Sequence, residues 1–443
     1  MPTLEWIGKS KVINHHQEVP FRVLERKYSF DESGQHNEDN GSENMIIRGD
    51  NLEALKALLP RYEGRIKCIY IDPPYNTGNE GWVYNDNVND PKIKKWLGEV
   101  VGKEGEDLTR HDKWLCMMYP RLKLLQKLLA DDGVIFISID DTECSNLILI
   151  CNEIFGASNF VANVSWQRTY SPRNDSKGIV SEVEHLVVFS KNPGWQPNKL
   201  PRTEAMDSRY KNPDNDVAPW KSSDAFAPGA ATHQGMVYAI QHPFTGEMLY
   251  PSNGRCWRYQ QSSMLEYMQG WCNYRLENLH DEKERARVCG IDESAVRKDV
   301  LAIVLEEPLE VSAAKAQKVY NRGRWPGFYF TKGGYGGIAR KTYLENVGGR
   351  LPTNLWMYEE TGHTDEAKKE LISLFGGRSP FDTPKPTRLL DFVLKVAGTS
   401  ETLMLDSFAG SGTTAHAVLN ANKADNGNRH FILIEMMDYA DSI

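Results

Sequence analysis

Two short runs, "IKCIYI" (66–71) and "VIFISID" (134–140), are apolar almost throughout. A strand with one wet face alternates polar and apolar residues. One that does not alternate is buried on both faces, and such strands sit in sheets covered by helices on each side. Helical patterns stand between them. "MIIRGDNLEALKALL" predicts a strand, a turn at 49–51 and a helix. Asp50 or Asn51 can cap that helix, with Leu52, Leu55, Leu58 and Leu59 on its buried side. "WLCMMYPRLKLLQKLLADDG" predicts a helix ended by Gly133, and "DDTECSNLILICNEIFG" one with Asp141 near its N-cap and Gly156 at its end. "VSEVEHLVVFSKN" contains a further strand. The alternation predicts a parallel α/β sheet.

From Trp195 to about Arg378 the texture changes. Aromatic-rich pieces such as "YKNPDNDVAPW" and "GRWPGFYFTKGGYGG" are separated by Gly, Pro and Asn, and a charged helical stretch at roughly 281–320 interrupts them. The α/β pattern then returns with "PFDTPKPTRLLDFVLKVAG", "LMLDSFAGSGTTAHAVLNAN" and "RHFILIEMMD". The expected organisation is a polar lead-in (1–44), half of an α/β domain (45–194), an inserted domain (195–378) and the other half (379–443). No apolar run approaches the ~20 residues of a membrane span. The N-terminus lacks the apolar core of a secretion signal, so a cytoplasmic protein is expected. The seven cysteines include no CxxC pair. They are expected to be reduced thiols, with no metal site. The net charge of −8 hides one basic segment: Lys315 to Arg350 holds eight basic residues and one acid. Such a patch, rather than the total, sets the field that a phosphate backbone feels. A solvated basic face is the plainer alternative.

Two turns carry chemistry. "LMLDSFAGSGTT" (403–414) leads from a strand into a helix. Gly410 and Gly412 let a ligand approach the backbone at the helix N-terminus, where N–H groups are free. It is neither a GxGxxG fingerprint nor a Walker loop. Glu435, at the end of the next strand, suits a ribose diol. Asp406 suits an ammonium group. A nucleoside bearing an amino acid, such as S-adenosylmethionine, fits these features together. The second turn, Asp72-Pro73-Pro74-Tyr75, ends the apolar strand 66–71. Ligands of open α/β sheets bind beyond the strand C-termini. Asp72 and the Pro73 carbonyl are two acceptors for the two hydrogens of an amino group, and Tyr75 offers a flat face for a base. Pulling those hydrogens out of plane localises the nitrogen lone pair, which can then attack a sulfonium methyl group.

"DPPYNTG" followed by "FAGSGTT" resembles the amino-methylating DNA methyltransferases whose catalytic motif precedes the cofactor motif. The likeness is strongest to the modification (Mod) subunits of type III restriction–modification systems. It extends through "RGDNLEALKALL", "WLCMMYPRLKLL", "DDGVIFISIDD", "EHLVVFSKN", "GHTDEAKKEL" and "FDTPKPTRLL". The resemblance implies a permuted, Rossmann-like S-adenosylmethionine-dependent methyltransferase fold with an inserted target-recognition domain. It implies N6 methylation of a flipped adenine in double-stranded DNA. N4-cytosine methylation and a non-catalytic DNA-specificity subunit are the alternatives. By position it assigns Asp72, Pro73, Pro74 and Tyr75 to the base and methyl transfer. It places Asp406, Phe408, Ala409, Gly410 and Gly412 at the methionine part of the cofactor, Glu435 at the ribose and Asp50 near the adenine. Thr383, Lys385 and Pro386 would close over the methionine end. Lys332, Arg340 and Lys341 are the expected DNA contacts, and Trp82, Tyr84 and the loop to Arg110 would hold the flipped base or displaced strand. A homodimer and a restriction (Res) subunit are the protein partners it allows. Mod subunits run on well past the position of Ile443, so a helix after the Glu435 strand is expected to be missing or truncated.

Overall fold

Strand residues sort by parity. In the computed structural model, residues 3–77, 95, 98–99, 109–171 and 178–436 are described. Trp82, Tyr84 and most of the loop to Arg110 lie outside them, as do the residues after Met436. The chain divides into two units, one of residues 1–200 with 351–443 and one of residues 201–350.

The first unit holds an eight-stranded sheet. Its strands are β1 (Met45–Arg48), β2 (Ile66–Ile71), β3 (Leu129–Ile139), β4 (Phe160–Gln167), β5 (Val183–Ser190), β6 (Leu355–Trp356), β7 (Leu403–Asp406) and β8 (His430–Glu435). The spatial order is β6-β4-β5-β3-β2-β7-β8-β1. Five neighbours, β3-β2-β7-β8-β1, are parallel. The wholly parallel sheet expected from the pattern stops there, because β5 runs antiparallel to both β3 and β4. The longer helices are α1 (Asn51–Tyr62), α2 (Arg110–Leu128), α3 (Cys144–Phe155), α4 (Thr364–Leu374), α5 (Thr387–Ala397) and α6 (Thr413–Asp425). Ile69, Ile71, Ile135, Ile137, Leu405 and Ile432 point to one face, among the apolar side chains of α1, α2 and α3. Cys68, Tyr70, Val134, Phe136, Leu186, Met404 and Leu433 point to the other, beneath α5 and α6. This two-sided burial is why these strands do not alternate in sequence. All seven cysteines are buried and outside any disulfide.

Two local expectations change. Helix α2 ends at Leu128, and Gly133 lies inside β3 rather than at a helix end. The β2–β3 register slips between Ile66 and Cys68. At that irregularity a Cβ on Gly133 would stand 2.9 Å from the carbonyl oxygens of Ala130 and Ile66. Gly133 is therefore the residue the bulge requires. The boundaries of the insertion also differ from 195 and 378. Asn198 is tied to Val396 and Gly398, and β6 pairs with β4. Residues 195–200 and 351–378 thus belong with the sheet.

The second unit builds its core from Trp220, Trp257, Trp271, Phe328 and Phe330. The charged stretch 281–320 is not one helix. It is split into Glu282–Cys289 and Leu309–Arg322 by a buried strand, Ala302–Leu305. Residues Phe328–Phe330 and Ile338–Tyr343 pair as a hairpin. Lys332 is exposed in its turn and Arg340 is half-buried on its second strand. Neighbouring strand residues face opposite sides. Lys341 accordingly points inward, with a side-chain exposure of 0%. Its ammonium donates to Asp214 and Asp216, each at 2.5 Å, and to the Trp325 carbonyl at 2.8 Å. Trp220 Nε1 donates to the other Asp214 oxygen at 2.8 Å. The expectation of Lys341 as a phosphate contact is corrected on this ground: it is the cation of a buried ion cluster. Lys341→Ala leaves two carboxylates without their cation and should cost about 3–5 kcal/mol. Lys332→Ala should leave stability within about 0.5 kcal/mol. Denaturant unfolding followed by tryptophan fluorescence compares them, and equal losses would refute the assignment.

Candidate functional site

Strands β2 and β7 pair in parallel, Cys68 opposite Met404 and Ile69 opposite Leu405. Their C-terminal ends therefore lie side by side. One continues into Asp72-Pro73-Pro74-Tyr75 and the other into the 406–412 turn, which begins 334 residues later in the chain. The neighbour on the far side, β8, ends at Glu435. The sheet alone thus brings together the two turns and the acid.

The Gly-rich turn is fixed from within. Gly410 and Gly412 hold φ of 52° and 77°, in the left-handed region. A Cβ on Gly410 would lie 3.0 Å from the ring of Phe381. Gly412 is the N-cap of α6, so the first N–H groups of that helix border the turn. The Gly410 N–H donates to Glu435 Oε2 at 2.8 Å, and the Ala409 N–H to the Ile434 carbonyl at 3.2 Å. Phe408 is half-buried against the α1–α3 side of the sheet. Asp406 is 3% exposed and accepts from Thr414 Oγ1 at 2.6 Å and the Phe408 N–H at 3.0 Å. These two bonds tie the turn to α6. Asp50 caps α1, accepting from the N–H groups of Leu52 (2.9 Å) and Glu53 (3.2 Å). Next to it Asn51 donates to the Ser407 carbonyl at 3.1 Å, which joins the α1 terminus to the turn.

These residues suit the cofactor named above. Ser407 is 1% exposed and its Oγ has no protein partner, which leaves a buried polar atom within the turn. A carboxylate has about four lone-pair positions, so Glu435 can accept from a diol while holding the Gly410 N–H. S-adenosylmethionine would lie along Asp50, Ser407, Gly410 and Glu435.

Asp72 is more elaborately held than its sequence suggests. Lys385 Nζ donates to both of its oxygens, at 2.9 and 2.7 Å. Tyr75 OH lies 2.9 Å from Asp72 Oδ1 and 3.1 Å from Glu184 Oε2. Arg168 Nη1 donates to Glu184 Oε1 at 3.0 Å. Burial pushes the Asp72 carboxyl up, against the pull of Lys385. Burial would lower the Lys385 ammonium, but Asp72 and Glu184 outweigh it and hold it above the ordinary lysine range. Lys385, expected at the methionine end of the cofactor, is thus placed on the Asp72 carboxylate. Thr383 is half-buried two residues earlier. The Pro74 carbonyl accepts from Trp114 Nε1 at 2.6 Å. After Tyr75, Asn76 takes φ 61° at 0% exposure. Its amide donates to the Arg110 carbonyl at 3.2 Å and to Glu143, which His111 also contacts at 2.7 Å. The turn is anchored at three successive residues.

Glu184, Arg168, Trp114, Asn76 and Glu143 were not singled out from the sequence. One of them left a signal. Glu184 shares strand parity with Leu186 and Val188, which are buried on the α5 side. A carboxylate on a buried face asks for a partner.

Asp406 yields a prediction. Burial holds its carboxyl up to about 7 despite two donors. Between about pH 4 and 7 the folded chain keeps a proton there that the unfolded chain releases, so this group's contribution to stability falls as pH rises. Asp406→Asn keeps the Phe408 N–H contact through its single oxygen, can donate its amide to Thr414 Oγ1, and removes the titrating carboxyl. The fall in Tm from pH 5 to pH 8 should be smaller in this variant than in the parent. An unchanged pH slope contradicts the placement.

The fold and these turns can be compared with known proteins. The type III restriction–modification enzyme StyLTI Mod subunit of Salmonella typhimurium is 33% identical over 89% of this chain and 53% of its own length. The EcoPI Mod subunit of Escherichia phage P1 is 30% identical over 98% of this chain and 63% of its own. The type II methyltransferase M.KpnI of Klebsiella pneumoniae is 28% identical over 90% and 81%. The chain thus spans between half and two-thirds of the length of these type III relatives. Among the described residues, no helix is long and apolar enough to cross a membrane. The DNA methylase family model matches residues 66–443, from the start of β2 through both turns, and the chain belongs to that family.

Proposed function

We propose that this chain is an S-adenosylmethionine-dependent DNA methyltransferase. It would methylate the N6 amino group of an adenine flipped out of double-stranded DNA, as the modification subunit of a type III restriction–modification system. The observation that carries this reading is the parallel pairing of β2 with β7, which sets an acceptor-bearing Asp-Pro-Pro-Tyr turn beside a nucleoside-type Gly-rich turn. Membership of the DNA methylase family and the likeness to Mod subunits support the substrate class and a Res partner. A homodimer and a cytoplasmic location belong to the same reading.

The chemistry follows from the residues. The cofactor supplies an electrophilic methyl group on a sulfonium. Asp72 and the Pro73 carbonyl accept the two amino hydrogens, so the nitrogen lone pair leaves conjugation with the ring. Tyr75 stacks on the base, worth roughly 1–3 kcal/mol. As the N–C bond forms, the S–C bond breaks and its electron pair stays on sulfur. The methylated nitrogen then sheds one proton, which Asp72 accepts and passes to water. Unit 201–350 would read the target, with the exposed Lys332 and the half-buried Arg340 of its hairpin as phosphate contacts.

Asp72→Ala tests this directly. Methyl transfer to duplex DNA should fall by at least about 100-fold, the size of losing one key electrostatic group. Affinity for S-adenosylmethionine, measured by calorimetry, should stay within a few-fold. Near-normal transfer in this variant removes Asp72 from the mechanism.

A further inference from the structure

The catalytic carboxylate is already occupied. Lys385 Nζ sits on both Asp72 oxygens, so the oxygen that would accept a hydrogen of an incoming amino group is taken. The same ammonium is 3.6 Å from Glu184 Oε2 and 5.1 Å from the Tyr75 ring centroid. We propose that Lys385 is a placeholder for the target base's amino group, and that Glu184 is the seat to which its ammonium moves when the base enters. Both are positioning residues that act through Asp72, and the inference rests on the methyltransferase reading given above.

Three features of the site support the exchange. The first is charge. Asp72, Glu184 and Lys385 have side-chain exposures of 12%, 8% and 9%. A neutral amino group cannot replace the charge of an ammonium. If Lys385 left altogether, a buried Asp72 would take up a proton and lose one of its two acceptor positions. Moving to Glu184 keeps two carboxylates and two cations, Lys385 and Arg168, within one cluster. The second is Arg168, which already binds Glu184 through the other oxygen, Oε1, and so leaves Oε2 as the landing point. The third is Tyr75. Its hydroxyl faces Asp72 Oδ1 and Glu184 Oε2 at similar distances and has one proton to give. It can donate to whichever carboxylate Lys385 is not holding. The same exchange run backwards aids turnover, because the returning ammonium competes with the methylated amine for Asp72.

The parity of β5 explains why Glu184 is there. It lies on the sheet face that α5 covers, and Lys385 stands two residues before α5 begins. The charged and titratable groups facing Lys385 are Asp72 and Tyr75 after β2, Glu184 on β5 and Arg168 after β4.

The test uses the full chain and duplex DNA with 2-aminopurine beside the target adenine, whose fluorescence rises when its neighbour leaves the stack. Glu184→Gln removes the second seat but keeps the side chain's size. Reducing the vacated fraction lowers apparent target affinity in proportion, so flipped-base occupancy and single-turnover transfer should both fall about 10-fold. S-adenosylmethionine affinity should not change. Lys385→Met removes the placeholder. Its transfer rate should rise with pH above the ordinary carboxylate range as the buried Asp72 ionises, where the parent is flat, and Lys385→Arg should restore the flat profile. Unaltered flipping and transfer in Glu184→Gln overturn the proposal. If that variant does not fold, a parental pH profile in Lys385→Met overturns it instead. Failure of the parent chain to methylate DNA would refute the functional reading; an active parent with silent variants refutes only this inference.

Discussion

The pairing of β2 with β7 is the contact on which the rest depends. It joins two halves of one sheet that are separated by an entire second unit, and it is made between residues more than 330 positions apart. Loop closure over such a length grows only with the logarithm of the loop, so the long insertion costs little more than a short one. The central strands, β2, β3, β5, β7 and β8, offset that cost through apolar burial on both faces. The site exists only once this pairing forms, since neither turn has its counterpart within its own half.

Around that junction, the buried carboxylates all have partners. Asp72 has Lys385, Glu184 has Arg168, Asp406 has Thr414 and a backbone N–H, and Asn76 has Glu143. Isolated charges of this kind would be costly in a sheet interior, and paired ones hold a fixed geometry without necessarily adding net stability. The arrangement is suited to preorganisation, because Asp72 is held by Lys385 and Tyr75 within the protein itself. In the second unit the Lys341–Asp214–Asp216 cluster performs a comparable service for the Trp220–Trp325 core.

Much of this was legible in the sequence because it is local. A non-alternating strand that ends in Asp-Pro-Pro-Tyr, and a strand–glycine–helix turn followed by Glu435, announce their positions by residue type alone. The elements that were missed depend on distant partners. Glu184 is one residue in an apolar strand, and its role appears only when α5 covers that face. Lys341 read as part of a basic run, but strand parity turns it inward while Arg340 keeps the other side. Gly133 carried the usual mark of a helix end, and the β2–β3 register slip gave it another task. The buried strand 302–305 was hidden because strongly helical, charged sequence flanks it. Each case is tertiary context overriding a local signal.

The central claim is that the two turns form one site for methyl transfer to an exocyclic amine. The most direct measurement incubates the chain with duplex DNA and S-adenosylmethionine carrying a labelled methyl group, digests the DNA to nucleosides and locates the label. Label in N6-methyladenosine of the deoxy series is the result this account predicts. Label on a ring carbon of cytosine, or none in DNA while the chain binds the cofactor, would contradict it.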